Sequence, residues 1–562
     1  MAAQFILGAS GKLLLVGGKP LQASAVAAPT TAITMTPFQV AQTGQYTGTF
    51  VIQPSASSND TTADVPVIFT FSGGQPSSVQ ARLVDSSGNV VSGFDWTDIT
   101  SSVTVSGTTG LGFLRSAPVG TYKRQVRVGT SGILTSADTA NFMIGPMILT
   151  WGQSNMVGLL NGGSSGTYTP PNVPGTSQNE TAYFLANKTG GLFTMQGFVA
   201  GGTNAYYLGS WYAYEQGTLA LLRFVGNTLT QKFGRKVGSV INPWARNGTA
   251  MGQFVDPNTS ASTMLDQNGT TSGAIGFSTS TGPIIANGDY RIVMWHQGET
   301  LDWFTSTRAQ RTTELKRFVL KHINQVAKFG RPASKLTFLF AMMGVGSPSH
   351  MEILRGAVLD LMVDSDLVGM GADIRIGWNC IDMAPPPDTS GNPGLHFVDE
   401  MQRIGLYRMA QACMNVLDPI NVPHGARGPK ISGVATRSGG TVTLNVSHEG
   451  GSTLAAKNSG NPITGWFANT ASDFSGTDLV VQSVSVQGTN QIVLTVADSG
   501  GNPYTGTFYV KHCGAKAGTL NSYSPDVSNL IYDNFSYPTN ATGTDVYVGL
   551  PLLPTPDAIT VT

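Results

Sequence analysis

Met147-Ile148-Leu149-Thr150-Trp151-Gly152-Gln153-Ser154-Asn155 is the stretch on which the reading of this chain turns. Its apolar run Met147–Thr150 reads as a buried strand, and Gly152-Gln153-Ser154-Asn155 reads as the turn that leaves it. A Gly-flanked serine on such a turn is where an α/β fold places a nucleophile, in the crevice outside the carboxyl ends of its strands. Gly152 permits a tight turn. Asn155 and the residues after it start a helix, whose free N–H groups favour developing negative charge. Gly-x-Ser turns are common, so the weight of this one depends on its companions further along the chain.

Outward from this turn, the segment 146–420 alternates strand-length apolar runs with helical stretches. The runs are Met147–Thr150, Val237–Ile241, Ile292–Trp295, Leu336–Phe340 and Ile374–Trp378. Leu222, Val225, Leu229 and Phe233 recur at helical spacing, as do Leu315, Phe318, Val319, Ile323 and Val326. Strands alternating with helices imply βαβ units and a parallel sheet. Five such strands predict a central α/β/α three-layer, flavodoxin-like domain. Residues 1–60, rich in Gly, Ala, Thr and Pro, read as a β-rich attachment segment. Short alternating segments over 61–145 predict a small β-sandwich, and the period-2 pattern over 428–562 predicts a second one. The expected class is therefore multidomain, with an α/β/α centre flanked by β-sandwich domains.

Composition narrows the function. The chain has 562 residues, too many for one ordinary domain. Its 32 Lys and Arg balance its 32 Asp and Glu. No basic stripe or Lys/Arg run appears, which argues against nucleic acid as a partner. Charged residues are 11% of the chain, below the usual share of roughly 25%. With 69 glycines and frequent Ser and Thr, the surface is solvated by hydroxyls and amides, as in many secreted and virion-surface proteins. Cys380, Cys413 and Cys513 are too scattered for a disulfide framework or a zinc site. They read as free buried thiols, with a Cys380–Cys413 bridge as the alternative. No apolar run approaches the ~18–20 residues of a membrane span. Leu13-Leu14-Leu15-Val16 with Ala23-Ser24-Ala25 imitates a signal peptide. Lys12 and several glycines break its apolar region, so no signal peptide is assigned.

Four polar clusters follow predicted strand ends. They are Ser154; Arg246-Asn247-Gly248-Thr249; His296-Gln297-Gly298-Glu299; and Asp382, Asp388 and His396. A parallel sheet brings such ends to one rim. Nucleophilic acyl transfer needs these parts together: a hydroxyl, an imidazole to take its proton, and fixed donors for the oxyanion. Gly152-Gln153-Ser154-Asn155-Met156, Trp295-His296-Gln297-Gly298-Glu299 and Gly394-Leu395-His396 together resemble the SGNH/GDSL hydrolase superfamily, in its branch of carbohydrate esterases related to sialic-acid-specific acetylesterase. The resemblance covers about residues 146–415. It implies removal of acetyl groups from sugar hydroxyls, with no metal and no cofactor. Ser154 then resembles the nucleophile and His396 the general base. The N–H groups of Ser154 and Gly248 and the Gln297 amide, a neutral donor, resemble the oxyanion hole. Glu299 would hold its motif loop, with Asn247 as a second supporting residue.

Two positions depart from that family. Pro393 stands where the family has an Asp three residues before the histidine. Such an Asp sets the imidazole tautomer and stabilises its cation. Asp388, Asp382 or a backbone carbonyl is left to orient His396. Asn247-Gly248 stands where Gly-Gly is common. The long Gly-rich stretch 158–214 carries many aromatics, suited either to stacking on sugar rings or to packing a core of its own. His322 reads as a surface or packing residue, and His296 as lining the site or packing beneath it. The expectation is a serine esterase on an acetylated polysaccharide, outside the cell or on a virion such as a phage tail spike, alongside other virion proteins or as a homo-oligomer. The rival is a glycan-binding surface protein whose SGNH domain has little catalysis, a reading that Pro393 favours.

Overall fold

The computed structural model describes residues 29–36, 50–129, 133–139, 141–161, 183–186, 194–197, 216–235, 237, 240–245, 289–297, 307–327, 329–344, 348–383, 397, 399–458, 461–462, 465–513, 529–538 and 546–561. Ten strands precede residue 145 among them: β1 (Thr30–Met35), β2 (Phe50–Ile52), β3 (Thr62–Gly73), β4 (Val79–Asp85), β5 (Thr97–Asp98), β6 (Thr104–Ser106), β7 (Thr109–Pro118), β8 (Gly120–Val128), β9 (Leu134–Ala137) and β10 (Phe142–Ile144). They make two sheets, ordered β1-β3-β7-β6 and β2-β10-β8-β4-β5, with β9 on β8. Alternation along β3 buries Val65, Val67 and Phe69, which share a core with Ala81, Leu83 and Val126 of the second sheet. Arg124 lies fully buried beside them. It binds Asp138 through Nε and Nη2, both at 2.8 Å, and donates to the carbonyls of Pro66 and Thr36.

The next elements are β11 (Met147–Gly152), α1 (Ser154–Asn161), β12 (Tyr183–Ala186), β13 (Thr194–Gly197), α2 (Gln216–Phe233), β14 (Val240–Ala245), β15 (Ile292–His296), α3 (Arg308–Ala327), β16 (Thr337–Met342), α4 (Pro348–Val363), α5 (Ser365–Gly369), β17 (Asp373–Asn379) and α6 (Asp399–Leu417). Seven strands form one sheet, β13-β12-β14-β11-β15-β16-β17. β12 and β13 pair antiparallel at one edge, and the other neighbours run parallel. β11, β15 and β16 are buried throughout, as strands covered on both faces must be. α3 begins at a reciprocal cap: Thr307 Oγ1 accepts from Gln310 N, and Gln310 Oε1 accepts from Thr307 N. It buries Leu315, Phe318, Val319, Ile323 and Val326, one stripe at helical spacing.

The C-terminal part holds β18 (Lys430–Ser438), β19 (Thr441–Ser447), β20 (Leu454–Ala456), β21 (Trp466–Asn469), β22 (Asp478–Gln487), β23 (Gln491–Ala497), β24 (Phe508–His512), β25 (Ile531–Asp533), β26 (Ser536–Pro538), β27 (Val546–Val548) and β28 (Ile559–Val561). Seven of them make an antiparallel sheet, β18-β19-β23-β22-β21-β24-β28. Its two outer strands, β18 and β28, come into contact, so the sheet curls almost into a barrel around Val442, Leu444, Ile492, Leu494, Phe508 and Val510.

The fold class expected from the alternation is corrected by this architecture. Strand makes up 42% of the described structure and helix 24%. The chain is mostly β, its C-terminal sheet is a nearly closed sandwich, and no five-stranded flavodoxin-like α/β/α core stands out as its body. The physical reason lies in the signal used. Period-2 strands outside 146–420 outweigh the helical stretches inside it. β12 and β13, four residues each, are too short to register as periodic runs. All three cysteines are free and buried, so the Cys380–Cys413 bridge does not form.

Asp60 and Asp289 fasten the first part of the chain to the seven-stranded parallel-rich sheet. Arg331, fully buried, pairs with Asp289 at 2.7 Å and Asp60 at 2.9 Å, and donates to the Pro54 carbonyl at 2.8 Å. Burial pushes the Asp289 carboxyl from its ordinary 3.8 up to about 6, against the pull of Arg331. The folded state thus holds that proton more tightly than the unfolded chain. Its contribution to stability is complete below the ordinary value and is lost as pH rises through 6. We expect the stability difference between wild type and Asp289→Asn, measured by urea unfolding, to shift against wild type by up to about 3 kcal/mol between about pH 4 and 7. A difference that is the same at both pH values would refute this.

Candidate active site

Backbone register builds the site before any side chain enters it. Gly152, the last residue of β11, lies opposite Ala245 of β14 on one side and His296 of β15 on the other. Three parallel strands therefore end level. From that line the chain enters Gln153-Ser154, residues 246–248 and Gln297. Gln153 N donates to the His296 carbonyl at 3.3 Å, stitching the first turn to the third. Gly152 has φ +154° and cannot be replaced cheaply. A Cβ there would fall inside the His296 carbonyl oxygen and 2.8 Å from Met156 Cβ.

Ser154 is the first residue of α1, so its N–H belongs to the unbonded first turn of the helix. Its side chain lies outside the described structure. Asn155, 1% exposed, turns inward, and its Oδ1 accepts from Phe397 N at 3.1 Å. This bond joins the residue after Ser154 to the residue after His396. Gln402 of α6 holds the other side of Phe397, donating through Nε2 to its carbonyl at 2.8 Å. α1 and α6 meet closely enough that a Cβ on Gly158 would lie 2.6 Å from Gln402 Nε2.

His296 is fully buried. Its ring packs edge-on against Phe397, with centroids 5.6 Å apart, and lies 6.2 Å from Trp378. It is thus part of the floor under the rim. Gln297 is also buried. His322 lies in α3 and packs against the sheet. The Tyr290 hydroxyl sits 2.6 Å from its Nδ1, and burial pushes it down to about 3, so it stays neutral. Its role is packing, against Trp151 and Phe318.

Asp382, one of the acids left open for orienting His396, is committed elsewhere. Arg408 grips it with two nitrogens, Nη1 to Oδ1 at 2.6 Å and Nη2 to Oδ2 at 2.8 Å, and the Tyr532 hydroxyl donates to Oδ2 at 3.0 Å. Burial alone would raise its pKa. The guanidinium and the phenol more than offset that and hold the carboxyl below the ordinary range. His396, Asp388, Asn247, Gly248 and Glu299 lie outside the described residues, as does most of the aromatic stretch 158–214. Among the described residues no group of three His, Cys, Asp or Glu side chains is placed to hold a metal, and no helix is long and apolar enough to cross a membrane.

The sequence reading missed the role of Asn155, which it took only as a helix start, and missed Arg408 altogether. A signal for Arg408 was present: it stands among Leu406, Met409 and Ala410 on the buried side of α6. An arginine on an apolar stripe marks a buried carboxylate nearby.

No protein-family model matches the sequence, and no curated protein matches it. Solved structures align only loosely. A protein from Arabidopsis thaliana gives a TM-score of 0.32 at 16% identity, over 48% of this chain and 99% of its own. The multi-modular chitinase ChiW of Paenibacillus gives 0.19 at 10% identity, over 97% of this chain and 52% of its own. A β-glucuronidase from Ruminococcus gnavus gives 0.22 at 10% identity, over 70% of this chain and 60% of its own. Similarity at this level carries neither fold nor chemistry to this protein.

Two substitutions test the geometry. Gly152→Ala forces strand β15 away from β11 and is expected to cost about 1–3 kcal/mol or more. Gly88→Ala, also at positive φ but with open space around it, should cost only about 1–2 kcal/mol. Equal losses in chemical denaturation would mean that the close approach to His296 is relaxed. Asn155→Ala leaves the Phe397 N–H buried without its acceptor and should cost about 1–3 kcal/mol. An unchanged unfolding midpoint would show that this bond is not held in solution.

Proposed function

We propose that this protein is a serine esterase that removes O-acetyl groups from a carbohydrate, most simply a polysaccharide. The observation that carries the reading is the Asn155–Phe397 hydrogen bond. It ties together the neighbours of Ser154 and His396, two residues singled out by motif alone and far apart in sequence. The Gly152–His296 register adds support by bringing Gln297 level with the serine turn.

In this reading the Ser154 hydroxyl attacks the acetyl carbonyl while His396 takes its proton. The Ser154 and Gly248 N–H groups and the Gln297 amide hold the oxyanion, and the N-terminus of α1 adds favourable field. The tetrahedral intermediate collapses to acetyl-Ser154, and His396 gives its proton to the departing sugar oxygen, which leaves as a hydroxyl. Water, deprotonated by the same histidine, then releases acetate and restores the serine. With Asp382 engaged by Arg408, Asp388 is the acid assigned to orient His396. Asn247 and Glu299 are assigned supporting roles. The motif set resembles the SGNH/GDSL carbohydrate esterases. We place the protein outside the cell or on a virion surface, where a low-charge, hydroxyl-rich surface and flanking β-domains suit a polysaccharide substrate.

A second reading, glycan binding with little catalysis, is favoured by Pro393 in place of the usual Asp. Acetate release from acetylated polysaccharides and from p-nitrophenyl acetate separates the two. Wild type should turn over, and Ser154→Ala should lose at least about 10³-fold in kcat with its unfolding midpoint kept. Binding of acetylated polysaccharide without any release would favour the second reading. Release that persists in Ser154→Ala would overturn the mechanism. Asp388→Asn should slow turnover severely if that carboxylate orients the histidine.

A further inference from the structure

Two fully buried arginines hold the loops that leave β16 and β17, and each also binds the C-terminal β-domain. Arg355 donates through Nε and Nη2 to the Met343 carbonyl at 3.1 and 3.0 Å, and through Nη2 to the Gly344 carbonyl at 2.7 Å. Its Nη1 reaches the Cys513 carbonyl at 3.1 Å, just past β24, and Glu352 at 2.8 Å. Arg408 donates to Asp382 and, through Nη1, to the Asn379 carbonyl at 2.7 Å. Its Nε meets the Tyr537 hydroxyl at 3.1 Å. Asn379 Nδ2 in turn donates to the Pro551 carbonyl at 2.8 Å. Tyr532, Tyr537 and Pro551 all come from the C-terminal part of the chain.

These loops gather beside Phe397, the residue that follows His396 in sequence. A Cβ on Gly344 would stand 2.7 Å from the Cys380 carbonyl, 2.9 Å from that of Met383 and 3.6 Å from Phe397 Cε1. The turn 380–383 and Phe397 therefore both border the small space that a side chain at position 344 would fill. Phe397 is the residue bonded to Asn155. A chain of neighbouring groups thus runs from Tyr532 through Asp382 and its turn to the surroundings of Gly344, to Phe397 and to α1.

We infer that Arg408 and Tyr532 are positioning residues of the proposed esterase: through the Arg408–Asp382–Tyr532 network the C-terminal β-domain fixes the turn 379–383 against Phe397, and so aims the general base at Ser154. This inference rests on the esterase reading. Stability alone does not call for such a network, because well-packed apolar side chains serve as well or better than a buried ion pair. What a two-nitrogen grip on a carboxylate adds is a fixed direction. A misplacement of about 1 Å at a catalytic group costs about 100-fold in rate.

The test uses the full chain with Tyr532→Phe, which removes a single hydroxyl, and Arg408→Lys, which keeps the charge and loses the paired grip. On p-nitrophenyl acetate both should lower kcat about 10- to 100-fold with KM within about twofold. Both should also displace the acid limb of the kcat–pH profile, which reports the histidine. Amide exchange at Cys380, Met383 and Phe397 should quicken in the same variants. A lowered melting temperature with kcat and the acid limb unchanged would reduce the network to structural glue and overturn the inference. Wild type inactive, or as active as Ser154→Ala, sinks the esterase reading instead. In that event exchange at the three amides still decides the brace, and rates unmoved by Tyr532→Phe overturn it.

Discussion

A buried guanidinium is a demanding guest. It carries five donors in a rigid plane and a charge that must be matched. Arg124, Arg331, Arg355 and Arg408 are all fully buried in a chain where charged residues are scarce. Each one dictates where a carboxylate and one or more backbone carbonyls must lie. Arg124 locks the two N-terminal sheets together. Arg331 ties that region to the N-terminal ends of the parallel strands β15 and β16 through Asp60 and Asp289. Arg355 and Arg408 tie those strands to Cys513 and Tyr537 from the C-terminal part of the chain. Hydrophobic contact alone would let these parts slide; the arginines give each junction one orientation.

The candidate site inherits its order from strand register. In a sheet packed on both faces a slip by one residue would turn every side chain over into a space shaped for another, so close packing specifies the pairing. Gly152 opposite both Ala245 and His296 sets three strand ends level, and the absence of a side chain at 152 lets the first and third turns touch. The chemistry proposed for the site needs groups from distant segments at fixed separations. Register and the Asn155–Phe397 bond are the means by which the described residues bring those segments together.

Some of this was legible in the amino-acid sequence. The runs at Met147, Ile292 and Leu336 fall on strands covered on both faces, which must be apolar throughout and so announce themselves; the run at Ile374 falls in the edge strand β17, which carries Asp373 and Arg375 as well. The run at Val237 marks its strand less well, since β14 begins at Val240. Helix α3 is readable for the converse reason: one apolar stripe at helical spacing. β12 and β13 were not readable, because four residues carry no period. The balance of the whole chain was misjudged. The flanking strands were expected, but alternation in the centre was read as a flavodoxin-like body that the structure does not show, and only the structure reveals that the C-terminal strands curl into a near-barrel. At the candidate site, the placement of Ser154 and Gln297 just past the ends of β11 and β15 is legible from the apolar runs before them, whereas the engagement of Asp382 by Arg408 and Tyr532 is a long-range event with no local signature.

The meeting of β18 with β28 has a consequence for how copies of this protein behave in a crowd. Zero net charge and few ionic groups leave little electrostatic repulsion to keep molecules apart. An open antiparallel sheet of this length would offer two unpaired ladders of N–H and C=O groups, each a template for another chain. Curling the sheet until its outermost strands meet leaves less room for another chain to pair along those ladders. Topology thus takes on part of the task that charge performs in other chains.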